Sequence, residues 1–135
     1  MITIKTQEEI EIMAKAGEIL SFALKEVAKI VKPGITTLQL DKKAEEIILS
    51  KNAKPAFKGY ANFPYSLCTS INEEIVHCFP SNRVLKEGDL LKLDLGVSYN
   101  GFCADSAITI PVGKISKNAE KLLKITKKAL FIGIK

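Results

Sequence analysis

The sequence predicts an α+β fold in which an antiparallel sheet is covered by helices. Three observations carry that expectation. Apolar residues recur every three or four positions up to about residue 50, as they do along one face of a helix. From residue 53 the spacing shortens toward alternation, the period of a strand. From Asn118 the helical period returns.

The first helix begins at a capping box, Thr6 with Glu9, in which each residue can satisfy the other's backbone N–H. Ile10, Met13, Gly17, Leu20, Leu24, Val27 and Val31 follow on one face. Lys32-Pro33-Gly34 stops the helix. Thr36 and Gln39 can cap a second helix, whose stripe is Leu40, Ala44, Ile47 and Ile48, with Asn52 as its breaker. Lys54-Pro55 and the stretch from Gly59 to Pro64 read as loop. Ser66 to Ile71 reads as a short strand left through Asn72-Glu73, and Ile75 to Phe79 as a second extended stretch. Turns at Pro80-Ser81-Asn82 and Lys86 to Asp89 precede a strong strand, Leu90 to Tyr99. Asn100-Gly101 is a two-residue hairpin signal, and Phe102 to Ile110 is the return strand, ended by Pro111 and Gly113. The last helix carries Ala119, Leu122, Leu123, Ile125, Leu130 and Phe131.

The chain has 135 residues, about one domain by length. Hydrophobic residues make up 47%, enough to build a core and to exclude disorder by composition. No apolar run is long enough to span a membrane, and the N-terminus lacks the basic and apolar regions of a secretory signal. A cytoplasmic location is therefore expected. Cys68, Cys78 and Cys103 are odd in number and form no Cys-x-x-Cys, which argues against a disulfide framework or a zinc ribbon. The net charge is +5. Its lysines are distributed along the chain, which favours a solvated surface over a nucleic-acid patch.

The hairpin sets the candidate site. If Asn100-Gly101 is a two-residue turn, opposing residue numbers sum to 201, so Gly96 faces Asp105. One face then carries Leu91, Leu93, Leu95, Val97 and Tyr99 with Phe102, Ala104, Ser106, Ile108 and Ile110, and should lie under the helices. The other carries Asp94, Gly96 and Ser98 opposite Ala107, Asp105 and Cys103. Asp94 and Asp105 are diagonal neighbours, about 7–8 Å apart at the backbone. Gly96 is expected to leave the space between them free. Two solvated acids are the plain alternative. Against it, both acids stand among small residues inside apolar strands, where aspartate is depleted and like charges repel unless a cation lies between them. Oxygen ligands suit hard or borderline divalent ions, though two carboxylates do not complete a site. His77 is the only histidine. It is either structural or a group that binds a carbonyl or moves a proton near neutral pH.

Two segments resemble type I methionine aminopeptidases. Cys68 to Pro80, Cys-Thr-Ser-Ile-Asn-Glu-Glu-Ile-Val-His-Cys-Phe-Pro, is similar to the family's substrate-site histidine segment. Asp89 to Gly113 is similar to its first metal segment, in which two aspartates stand eleven positions apart, as Asp94 and Asp105 do. The opening Ile-Lys-Thr-Gln-Glu-Glu-Ile-Glu-Ile-Met-Ala-Lys-Ala-Gly resembles the family's first helix.

The resemblance implies the pita-bread fold and removal of the initiator methionine. It also implies two divalent metal ions, of the Co, Mn, Fe or Zn type, in the complete enzyme. Asp94 would ligate one metal and Asp105 would bridge both. His77 would contact the substrate and stabilise the tetrahedral intermediate. Phe57, Tyr60, Phe63 and Cys68 would line a pocket for the methionine side chain, and an aromatic, sulfur-lined pocket suits a thioether. Ordinary packing of the aromatic loop against the sheet is the alternative. Implied partners are the N-terminal methionine peptides of nascent proteins, with proximity to the ribosome and no membrane.

Three departures qualify the match. Cys78 stands where the family has glycine after the histidine, and Phe57 and Phe63 stand where smaller or hydroxylated residues are common. The family also takes a histidine and two glutamates from the second half of its fold. Here no histidine follows Asp105, and the only later acid is Glu120. Residues 1–135 are therefore expected to be the N-terminal half of the catalytic domain. Metal binding by the chain alone should be weak or absent, as should its activity. Exposed surface left by a missing half should favour self-association. A non-catalytic half-domain that binds peptide or protein, and a proline-specific aminopeptidase of the same fold, are the alternatives.

Overall fold

The computed structural model describes residues 3–134. Three helices and four strands follow in the order α1 (Gln7–Lys29), α2 (Thr37–Ser50), β1 (Lys54–Pro55), β2 (Leu67–Ile71), β3 (Leu90–Tyr99), β4 (Phe102–Pro111) and α3 (Lys117–Ile134). A single 3-10 turn, Tyr60–Asn62, interrupts the loop after β1.

Both capping boxes form. Thr6 and Glu9 satisfy each other at the start of α1, and Thr36 and Gln39 do so at α2. Asn52 adopts the left-handed conformation that closes α2, with φ of 56°. The face of α1 that is buried consists of Ala16, Ile19, Leu20, Ala23, Leu24 and Val27. It is rotated from the expected stripe. Ile10 and Met13, expected on that face, stay exposed.

β3 is the spine of an antiparallel sheet. β4 pairs with its whole length on one side, while β1 and β2 share the other. The hairpin register is the expected one, with Gly96 opposite Asp105 and Tyr99 opposite Phe102. Asn100 and Gly101 both have positive φ, 46° and 85°, as a two-residue turn between twisted strands requires. Leu91, Leu93, Leu95 and Val97 are completely buried and form one core with α1 and α2. Burial of each such side chain stabilises the fold by about 1.5–3 kcal/mol.

Two expectations need correction here. Lys54-Pro55 is a short strand, not loop, paired with Ser98 and Val97. Ile75 to Phe79 is not a strand. Its one ladder-like bond runs from Thr69 N to Cys78 O at 2.9 Å, and His77 turns the backbone left-handed with φ of 60°, which breaks any continuing ladder.

The helix covering also differs from expectation, because only α1 and α2 provide it. α3 starts cleanly, with Ser116 Oγ accepting from Ala119 N at 3.2 Å, but none of its residues is buried. Leu122, Ile125, Leu130 and Phe131 are all more than half exposed. The charge is distributed less evenly than the lysines suggest. Residues 1–116 contain fourteen basic and fourteen acidic side chains, whereas residues 117–135 contain six lysines and Glu120. The whole net charge of +5 therefore belongs to α3 and the residue after it. Among the described residues, no helix is long and apolar enough to cross a membrane.

Candidate active site

The face of the sheet turned away from α1 and α2 carries the candidate site. Strand pairing places Cys68 of β2 opposite Asp94 of β3, and Gly96 of β3 opposite Asp105 of β4. Opposite residues in an antiparallel pair share a face, so these four residues lie together. Burial raises the Asp94 carboxyl from its ordinary value. The charge of Asp105 and a hydrogen bond between the two carboxyls add to the rise, while nearby His77 opposes it. Two carboxylates this close repel one another unless a cation lies between them. Cys68 is pushed up to about 12, by burial first and then by the charges of Asp94 and Asp105. Its sulfur is therefore a neutral thiol that packs as a small apolar group.

The space above Gly96 is not free. A Cβ added there would lie 2.6 Å from Cε1 of Phe57 and 3.0 Å from Cβ of Ala56. The glycine admits the Phe57 ring to the site face, beside Asp105. Phe57 begins a chain of edge-to-face rings. It meets Phe63 at 6.4 Å, and Phe63 meets Tyr65 at 6.2 Å and Phe79 at 5.0 Å. Tyr65 and Phe79 close the group at 5.8 Å. Tyr65 and Phe79 were not among the expected pocket residues. Phe79 could have been suspected from its place two residues after His77, whereas nothing local marks Tyr65. Tyr60, which was expected to line the pocket, is 77% exposed and takes part in none of these ring pairs.

His77 is exposed at the rim, near enough to Asp94 for its charge to be felt there. The left-handed backbone falls on His77 itself and not on Cys78. The cysteine that replaces glycine therefore meets no backbone strain. Cys78 N donates to Ser70 Oγ at 3.4 Å, which with the Thr69 bond ties the histidine loop to β2.

The donor set is compatible with a divalent cation but is incomplete. Two carboxylates on one face of the hairpin suit a hard or borderline ion. Among the described residues, no group of three or more metal-ligating side chains forms. The arrangement places a pair of acids, an imidazole and a cluster of linked aromatic rings near one another.

Similarity to known proteins agrees with this geometry. Residues 11–135 match the model of metallopeptidase family M24. The chain is 50% identical to a methionine aminopeptidase of Clostridium acetobutylicum, over 99% of this chain and 54% of the relative. A solved methionine aminopeptidase from Thermotoga maritima superimposes with a TM-score of 0.96 and 42% identity, covering 100% of this chain and 55% of that one. A prolidase from Pyrococcus furiosus gives a TM-score of 0.83 and 29% identity over 93% of this chain and 36% of that one. The chain thus spans about half the length of the curated relatives that it matches.

Proposed function

Because the chain belongs to metallopeptidase family M24, we propose that it forms the N-terminal half of a type I methionine aminopeptidase, an enzyme that removes the initiator methionine from nascent proteins. Its architecture is about half of the pita-bread fold. The observation that supports the reading best is the Asp94–Asp105 pair on the same sheet face as Phe57, the first of the linked rings. The higher TM-score and identity to the methionine enzyme than to the prolidase favour methionine over proline.

Each residue then has a task. Asp94 and Asp105 would hold divalent cations of the Co, Mn, Fe or Zn type, which when bound activate water and polarise the scissile carbonyl. Phe57, Phe63, Tyr65, Phe79 and Cys68 would form the recess that receives an unbranched thioether, with Phe79, more than half exposed, as its outer wall. Tyr60 stands at the mouth. His77 donates a hydrogen bond to the substrate carbonyl oxygen as charge develops on it. Two carboxylates are too few to retain a metal pair, so the 135-residue chain alone is inactive and binds metal weakly. Its working place is the cytoplasm, near nascent chains at the ribosome.

Two assays test the reading. With manganese or cobalt added, the chain alone leaves Met-Gly-Met-Met uncleaved, and turnover comparable to that of a full-length relative would overturn the incompleteness. A chimera joining residues 1–135 to the remaining part of the Clostridium acetobutylicum relative cleaves the same peptide. A folded but inactive chimera would overturn the methionine aminopeptidase reading, and preference for Xaa-Pro peptides would reassign it to proline. Metal-independent peptide binding, unchanged by Asp94→Ala, would favour a binding module.

A further inference from the structure

Thr37, Asp41 and Glu45 succeed one another at intervals of four along α2, so they stack on one face of that helix. Each holds a different segment of the site. Thr37 Oγ1 accepts from Ser81 N at 2.8 Å and donates to Ser81 O at 3.1 Å. Thr37 N also donates to Arg83 O at 3.2 Å. Ser81 ends the loop that carries His77 and Phe79. Asp41 Oδ1 accepts from Ser66 N at 2.8 Å and from Leu67 N at 2.9 Å. Those residues join Tyr65 to Cys68. Glu45 Oε1 accepts from Lys58 Nζ at 2.6 Å, next to Phe57.

Thr37 and Asp41 are only 2% and 4% exposed. A buried hydroxyl and a buried carboxylate are costly unless their bonding capacity is used. Here it is used entirely on the segments that form the recess. None of the four rings belongs to α2, yet each lies within two residues of a residue held by it, or pairs with a ring that does.

We propose that this polar face of α2 is the positioning element of the recess, with Thr37, Asp41 and Glu45 setting the spacing between its two aromatic walls and hence its selectivity for an unbranched apolar side chain. This rests on the reading of the recess as a methionine side-chain site. The two walls, residues 56–66 and 72–81, meet at the Phe63–Phe79 contact. The first wall hangs on Asp41 and Glu45, and the second on Thr37, on Leu38 N and on the bonds of Cys78 to β2, so either wall can shift while the core between α1 and β3 stays intact.

Nuclear magnetic resonance of the 135-residue chain tests the proposal through ring-to-ring contacts. Thr37→Val loses the Phe63–Phe79 and Tyr65–Phe79 contacts and keeps Phe57–Phe63, whereas Thr37→Ser retains all of them. Asp41→Ala shifts Tyr65 and the Cys68 amide, and Asp41→Asn, which keeps an acceptor oxygen, restores them. Glu45→Ala moves Phe57 and, through it, Gly96 alone. Amides of α1 and of Leu90 to Leu93 in β3 stay unshifted in every folded variant. If Asp41→Ala fails to fold, Thr37→Val and Glu45→Ala still decide the matter. Uniform weakening of all ring contacts, or no change in any, would overturn the proposal. Methionine amide supplies the separate test of the site. The wild type binds it, and Thr37→Val weakens binding about tenfold. No binding to a wild type with intact ring contacts would overturn the methionine reading while leaving the tethering as the ring contacts show it.

Discussion

Asp41 is buried and Asp94 half-buried, and their surroundings differ. Asp41, in the helix layer, is met by two backbone N–H groups. Asp94, on the opposite side of the sheet, is met by a second carboxylate, Asp105, and no cation of the described chain pairs with it. Burial raises both. The first arrangement completes itself on folding and holds two segments together. The second is left wanting a positive charge, which folding alone does not supply. A buried acid with its donors is architecture, and a buried acid facing another acid is a request for a ligand.

The largest test of that contrast is deletion. Asp41→Ala leaves the Ser66 and Leu67 N–H groups without acceptors and costs about 3 kcal/mol. Asp94→Ala relieves a like-charge contact and leaves stability unchanged or higher. Urea denaturation of both variants checks this, and equal losses would erase the distinction. A second test asks how crowded the ligand side is. Gly96→Ala forces the Phe57 ring aside and costs about 1–3 kcal/mol, although alanine is the better strand residue by propensity. No loss would mean that the ring moves freely over the acids.

The smallest effect is a drift with pH. The folded value of Asp41 is raised above the unfolded one, about 3.9. Its stabilising contribution is thus fully present below that pH and is lost as the pH rises through the folded value. The stability of the wild type relative to Asp41→Asn therefore falls as the pH climbs from about 4, then levels off. A relative stability that rises with pH would show that the two N–H donors outweigh burial.

Much of this was legible in local sequence. The two capping boxes need only residues three apart, and both form as expected. The Asn-Gly turn and the alternation around it fix a parity, and parity alone brings Asp94 and Asp105 to one face. What was not legible depends on residues far apart in the chain. Phe57 fills the space over Gly96 from thirty-nine positions away, and Tyr65 joins the rings through tertiary packing alone. The buried face of α1 is rotated from the apolar stripe, so Ile10 and Met13 satisfy the helical period yet stay exposed. Apolar spacing states which residues share a face, and tertiary packing decides which neighbouring face is pressed to the sheet. The positive φ of His77 was equally invisible, since the apolar run around it reads as extended.

The division of charge has a practical consequence. Residues 1–116 are balanced, and the excess lies in a final helix that nothing covers. On a cation-exchange resin the chain is held by one arm, so the salt needed to elute it reports the state of α3 and hardly that of the remainder. A single proteolytic cut between Gly113 and Ser116 would sort the molecule into an unretained body and a strongly retained peptide. Chromatography can thus follow whether that helix is bare or engaged, without a label and without an assay.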